Sequence, residues 1–261
     1  KLIFTGTTFD FIIGLISSVF KSEDKMEKQI NEKIAFLNKY TLSSEKKVEF
    51  ITDKSTILNA PIPEYWKKAF VTRDRKERKS IILSEWKKYD AQELRNTILY
   101  LQTYLTNIEL MKIGNEYSVL YTILGFKTKM EFFYEGKNPV TEQEFKEKIK
   151  YPIEKIDNSI IDFYTKIHNG FYDFTSKSMG LDALKVINPV SDFEWEYEDQ
   201  LEMDLTSCYN FFSNGMGTYV VLDLNQNLET GAYLWSTKEL PQGNLNFWDF
   251  IDEWIIIGLD F

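Results

Sequence analysis

The chain has 261 residues, of which 43% are hydrophobic, 16% aromatic and 27% charged. This is the composition of a globular protein of one large domain or two ordinary ones, not of a disordered or collagen-like chain. A single Cys excludes an internal disulfide framework, and one Cys with one His excludes a His/Cys zinc site, which needs about four such ligands. The net charge of −9 is unevenly spread. Residues 1–140 carry 23 Lys and Arg against 18 Asp and Glu, and residues 141–261 carry 8 Lys against 22 Asp and Glu. Such asymmetry points to two modules or one polarised molecule, whose acidic half would repel nucleic acid and attract a basic protein.

The apolar stretch Phe11 to Phe20 is broken by Gly14, Ser17 and Ser18. It is shorter than the ~20 apolar residues of a bilayer span. No basic head or cleavage site marks a secretory leader, so a soluble cytoplasmic protein is expected. Ser22 is placed to cap a helix whose apolar face is Met26, Ile30, Ile34 and Leu37. After a break at Pro61 and Pro63, residues 64–89 read as one helix anchored by Trp66, Phe70, Ile81, Ile82 and Trp86. Its basic run from Arg73 to Lys79 is interrupted by Asp74 and Glu77 and reads as a solvated face. Asp90 with Glu93 has the spacing of a capping box, and Leu94, Ile98, Leu101, Leu105 and Ile108 follow at helical intervals.

Near Gly114 the character changes. Tyr117 to Leu124 and Lys127 to Tyr134 read as a hairpin, and Thr141 with Glu144 as a capping box. Asp157 opens a helix with Ile160, Phe163, Tyr164 and Ile167 on its apolar face, ended by Asn169-Gly170. Tyr209 to Ser213, Met216 to Leu224 and Gly231 to Thr237 form a meander, with Asn214-Gly215 expected in a two-residue type I′ turn. Asn246 caps a closing helix carrying Phe247, Phe250, Ile251, Trp254 and Ile257. The fold class that follows is α+β: a helical N-terminal region, residues 1–110, precedes an antiparallel sheet module flanked by helices, residues 111–261.

No catalytic constellation emerges. Any Ser–His–Asp or Cys–His system would need His168, whose place at a helix end reads as structural, and Cys208 reads as a small buried hydrophobe. Asp223, Asn225, Asn227 and Glu229 mimic a calcium loop, but Leu228 stands where Gly is needed and Leu234 where Glu is needed. The distinctive segment is acidic. Phe193, Trp195 and Tyr197 alternate with Glu194, Glu196 and Glu198, so a strand here would put aromatics on one side and carboxylates on the other. Asp192, Glu194, Trp195, Glu196, Tyr197, Glu198, Asp199 and Glu202 are the candidate partner-binding residues. Charge would steer a basic partner and the aromatics would supply hot spots.

Four segments carry a family resemblance. Ile160 to Phe171, with its His168-Asn169-Gly170-Phe171 end, resembles the helix-to-"NGF" segment of the SMI1/KNR4 (SUKH) superfamily. Ser178-Met179-Gly180-Leu181 looks like the family's turn into a hydrophobic strand. Tyr209 to Val220 resembles a strand–turn–strand of bacterial members, and Asn246 to Trp254 their closing helix. The likeness covers roughly residues 111–261. It implies an α+β fold with no catalytic site, metal or cofactor, acting as an intracellular immunity protein that binds and blocks a cognate polymorphic toxin. A nuclease-type toxin would be basic, since it must grip phosphates. The alternative is a non-catalytic scaffold binding resident client proteins; a carboxylate-dependent hydrolase is the third reading.

Overall fold

The computed structural model describes residues 25–42, 45–196 and 198–260, which fall into two units, Lys1–Glu49 and Phe50–Phe261. Ser22, the stretch Phe11 to Phe20, and Tyr197 lie outside the described residues. In the first unit a helix spans residues 25–37 (α1), followed by a 3-10 turn, Asn38–Tyr40. Asn38 Oδ1 accepts from the amide of Val48 at 2.8 Å. Val48 opens the short strand Val48–Phe50 (β1).

In the second unit the helices come first: Lys54–Asn59 (α2), Glu64–Val71 (α3), Arg75–Asp90 (α4) and Arg95–Tyr104 (α5). The single helix expected over 64–89 is thus two. Thr72 turns extended, and the Asp74 carboxylate restarts the helix by accepting from the amides of Lys76 and Glu77. Asp90 opens no helix. It ends α4 as a buried residue, and the cap of α5 comes from 156 residues away: Asp252 accepts from Asn96 N at 2.8 Å and from Thr97 N at 2.7 Å.

The helical stripe expected to reach Ile108 stops at Tyr104, where the chain turns into the strand Leu105–Ile113 (β2). The strands Glu116–Leu124 (β3), Glu131–Lys137 (β4), Phe171–Asp173 (β5), Ser178–Leu181 (β6), Cys208–Ser213 (β7), Thr218–Asp223 (β8), Ala232–Ser236 (β9) and Gln242–Leu245 (β10) follow. From β2 to β10 each strand pairs antiparallel with its sequence neighbours, so the sheet is a meander. The boundary expected at 110/111 lies inside β2, whereas the two compact units meet between Glu49 and Phe50.

The Asn214-Gly215 turn is wider than a two-residue hairpin. Ser213 pairs with Tyr219, and Asn214 Oδ1 accepts from the amides of Met216 and Thr218 while Gly215 and Gly217 take positive φ. Between β4 and β5 lie Glu142–Lys148 (α6), with the complete Thr141/Glu144 capping box, and Asn158–Asp162 (α7), capped by Asp157 and continued by a π-helical turn, Phe163–Ile167. The closing helix Phe247–Asp260 (α8) begins where Asn246 Oδ1 accepts from Asp249 N at 3.1 Å. The architecture is α+β: in the second unit, α2 to α8 pack against one face of the antiparallel sheet.

The core between these layers is aromatic. Trp66 and Trp86 from the helices meet Tyr121, Tyr134, Phe163 and Phe171, all buried. A polar chain runs through it. The Trp86 indole N–H donates to Tyr121 Oη at 3.1 Å, and Tyr121 Oη lies 2.7 Å from His168 Nε2. His168 Nδ1 lies 3.2 Å from the Lys137 carbonyl. A carbonyl only accepts, so Nδ1 carries the ring proton and Nε2 accepts from Tyr121. Burial pushes the His168 pKa down to about 3, so the ring is neutral. Gly136 makes room for it, since a Cβ there would lie 2.6 Å from three ring atoms of His168.

Candidate partner-binding surface

The 26 residues that join β6 to β7, 182–207, form no strand. They contain 3-10 turns at Leu184–Val186, Val190–Asp192 and Glu198–Gln200. The alternating segment is therefore irregular, a correction to the expected strand. The reason lies in the sheet: β6 and β7 already pair with each other, so this chain crosses the face of the sheet rather than joining its edge.

What holds it there is a second, smaller core on the side of the sheet opposite the main one. In β8, Val220 and Leu222 face the main core and Val221 the smaller one; in β9, Ala232 faces the main core and Trp235 the smaller. Val190 and Cys208 complete the small core, and Trp195, Leu201, Met203 and Leu205 of the acidic segment pack onto it. Trp195 is the pivot. Its ring lies edge-on to Trp235 at 5.2 Å, and its Nε1 donates to the Val190 carbonyl at 2.7 Å.

Both ends of the segment are tied to strands. Upstream, Pro189 bridges Tyr209, and Asn188 N donates to Asn210 Oδ1 at 2.9 Å. Downstream, Asp204 accepts from the Thr206 amide and hydroxyl, which holds its carboxyl below the usual carboxylate range. Ser207 Oγ then donates to the buried Asp223 at 2.7 Å.

The apolar side chains turn inward and the carboxylates stay in water. Asp192, Glu194, Glu196, Glu198, Asp199 and Glu202 are all exposed, Trp195 is half-buried, and Phe193 stands out at 43% exposure. None of these carboxylates forms an ion pair among the described residues. No Lys, Arg or His stands between Lys185 and Lys238 in the sequence, so the acidic segment carries no positive charge of its own. Of the eight candidates, six are exposed carboxylates along this ridge of chain and Trp195 is turned inward beneath them; the eighth, Tyr197, is outside the described residues.

Two neighbours of this ridge were not legible as site residues. Trp235, nearly fully buried, is the surface on which Trp195 rests, and Glu239, exposed between β9 and β10, comes against the same spot. They lie about 40 residues further along the chain, and no local motif joins them to the acidic run.

Three further titratable groups are enclosed. Burial pushes the Cys208 thiol up to about 12 and the carboxyls of Asp90 and Asp182 up to about 8; Glu93 and Asp162 add to the effect at Asp90. Both Asp90 oxygens are without a hydrogen-bond partner. Among the described residues, no three His, Cys, Asp or Glu side chains are placed to hold a metal ion, and no helix is long and apolar enough to cross a membrane.

The four motifs of the family resemblance fall on α7 with its π-helical turn and β5, on β6, on β7 and β8, and on the first turns of α8. No protein-family model, curated protein or solved structure matches the chain.

Proposed function

We propose that this chain is a non-enzymatic immunity-type protein of the SMI1/KNR4 kind, acting in the cytoplasm by binding a basic, nuclease-type toxin domain and covering its substrate surface. The observation that carries the reading is the ridge at 192–202: exposed carboxylates with no ion-pair partners among the described residues, on a backbone fixed to a sheet by Trp195. A phosphate-gripping surface is cationic, and carboxylates held in a fixed array stand where phosphates would lie. Preorganisation lowers the ordering cost of binding, and the aromatic Phe193 and Trp195 supply apolar contact among the charges.

Charge reversal tests the interface. Glu194→Lys, Glu196→Lys and Glu198→Lys together slow association with the captured toxin and flatten its salt dependence, because steering resides in the long-range field. Unchanged association and unchanged protection of cells expressing the toxin would refute the assignment of this ridge.

One observation favours a second reading. The chain divides at Glu49/Phe50 into two compact units, as suits a scaffold that docks one client on each. Distinct resident clients captured by the two units, with no toxin among them, would replace the first reading.

A further inference from the structure

A cleft of about 610 Å³ opens between the start of α2, the turn from α3 to α4 and strand β2. It lies wholly inside the second unit and shares no lining residue with the acidic ridge. Its volume is in the range of sites for small organic molecules. Arg78 belongs to the basic run that reads as a solvated face in the sequence, yet it turns inward and lines this cleft. Its guanidinium donates to the Ile108 carbonyl at 2.9 Å and the Thr72 carbonyl at 3.0 Å, and lies 5.5 Å from the centre of the Phe70 ring. Its Nε is buried with no partner, and loss of water lowers its pKa. The group is thus a fixed cation with more donors than acceptors around it.

Lys54 and Arg73 stand exposed on the same cleft, and none of the three cations forms an ion pair among the described residues. Two carboxylates also line it, and both are engaged. Asp53 accepts from the amide and the hydroxyl of Thr56, each at 2.7 Å, and Glu109 accepts from Asn107 Nδ2 at 2.8 Å while offsetting part of the Arg78 charge. The cleft therefore keeps a positive excess. Phe50, Ile51 and Val71, all half-buried, give it an apolar wall. Cations beside an apolar wall suit a molecule that is anionic at one end and apolar at the other, since a guanidinium matches the oxygens of a carboxylate or phosphate. We propose that this cleft is a binding site for a small organic anion, with its charged head toward Arg78, Arg73 and Lys54 and its apolar body against Phe50, Ile51 and Val71.

The test uses the full chain and three probes that share one ring system: 2-naphthoate, 2-naphthyl phosphate and the neutral 2-naphthamide. Ligand-observed NMR on the naphthalene protons reads binding. At least one of the anions is expected to bind saturably and the amide more than tenfold more weakly; the better anion identifies the head as carboxylate or phosphate. Arg73→Gln and Lys54→Gln each weaken the bound anion by about threefold, as for one solvent-exposed charge pair. Thr52→Trp places bulk in the cleft from an exposed position and abolishes binding. All three positions are exposed, so the variants keep the fold. Absence of binding by both anions, equal binding of the amide, or binding indifferent to Thr52→Trp or to both charge substitutions would overturn the site.

Discussion

Replacing Tyr121 by Phe removes one oxygen from the middle of the buried chain that links the helical layer to the sheet. That oxygen accepts from the Trp86 indole and donates to His168 Nε2, and all three residues are essentially inaccessible to solvent. Phe keeps the ring and its edge-on contacts with Trp86 and Phe171. What changes is polar: one indole N–H and one imidazole lone pair lose their partner inside the core. A buried group left unsatisfied costs about 1–3 kcal/mol, so the pair costs about 2–5 kcal/mol, partly relieved if the two groups close on each other. Urea unfolding followed by tryptophan fluorescence at pH 7.5 reads this directly, with a lower midpoint at unchanged slope. Tyr172→Phe is the control, because Tyr172 donates a single bond, at 3.0 Å to Glu135, which also pairs with Lys177. A loss below ~0.5 kcal/mol in Tyr121→Phe would refute the view that this chain of hydrogen bonds couples the layers.

The other predictions concern charge and the acidic segment. Asp90 titrates near 8 when folded and near 3.8 when free, so its favourable contribution is whole below pH 3.8 and lost as pH rises through 8. Asp90→Asn removes that loss. Its stability should gain on the native chain by up to about 1.4 kcal/mol per pH unit between pH 5 and 8, read from urea midpoints, and parallel curves would contradict the raised value. His168 has the opposite sign. Its folded pKa of about 3 lies below the free value of 6.5, so stability it confers above pH 6.5 is lost as acid approaches pH 3. Trp195→Ala should cost about 2 kcal/mol, less than the ~3–5 of a fully buried Trp, and should speed amide hydrogen exchange across 190–204 while leaving β2 to β4 protected. Equal protection of the segment in both proteins would show that Trp195 does not fasten it.

What was legible in the sequence, and what was not, follows from the range of the interactions involved. The Thr141/Glu144 box, the Asp157 cap and the Asn246 cap are each written within a few residues, and each stands in the structure. The strands β7 to β9 announced themselves by β-branched and aromatic runs. The stripe Leu94 to Ile108 misled because two buried positions in β2, Leu105 and Ile108, happen to continue the helical spacing, while the backbone changes at Leu105. The Asp90/Glu93 pair misled because Asp252, distant in sequence, supplies the cap of α5. The Asn-Gly pair misread its turn because the Asn214 side chain organises a longer loop with two positive-φ glycines.

For the candidate site the division is similar. The carboxylates and Trp195 were legible because they are contiguous. Their alternation suggested a strand, yet the segment lies across the sheet face, since the inward residues Trp195, Leu201, Met203 and Leu205 find a small core already assembled by Val190, Cys208, Val221 and Trp235. Trp235 and Glu239 join only through the meander that folds β9 beneath the segment, a contact between regions about 40 residues apart.

The central claim is that the ridge at 192–202 binds a basic protein toxin. Its most direct test is capture from the source cells with the tagged full chain and with the Glu194→Lys, Glu196→Lys, Glu198→Lys variant, at low and high salt, with the bound proteins identified by mass spectrometry. The account predicts a basic C-terminal fragment of a large secreted protein, held by the native chain, weakened by salt and lost from the variant. Recovery of the same proteins by both chains at both salts, or of resident proteins alone, would contradict it.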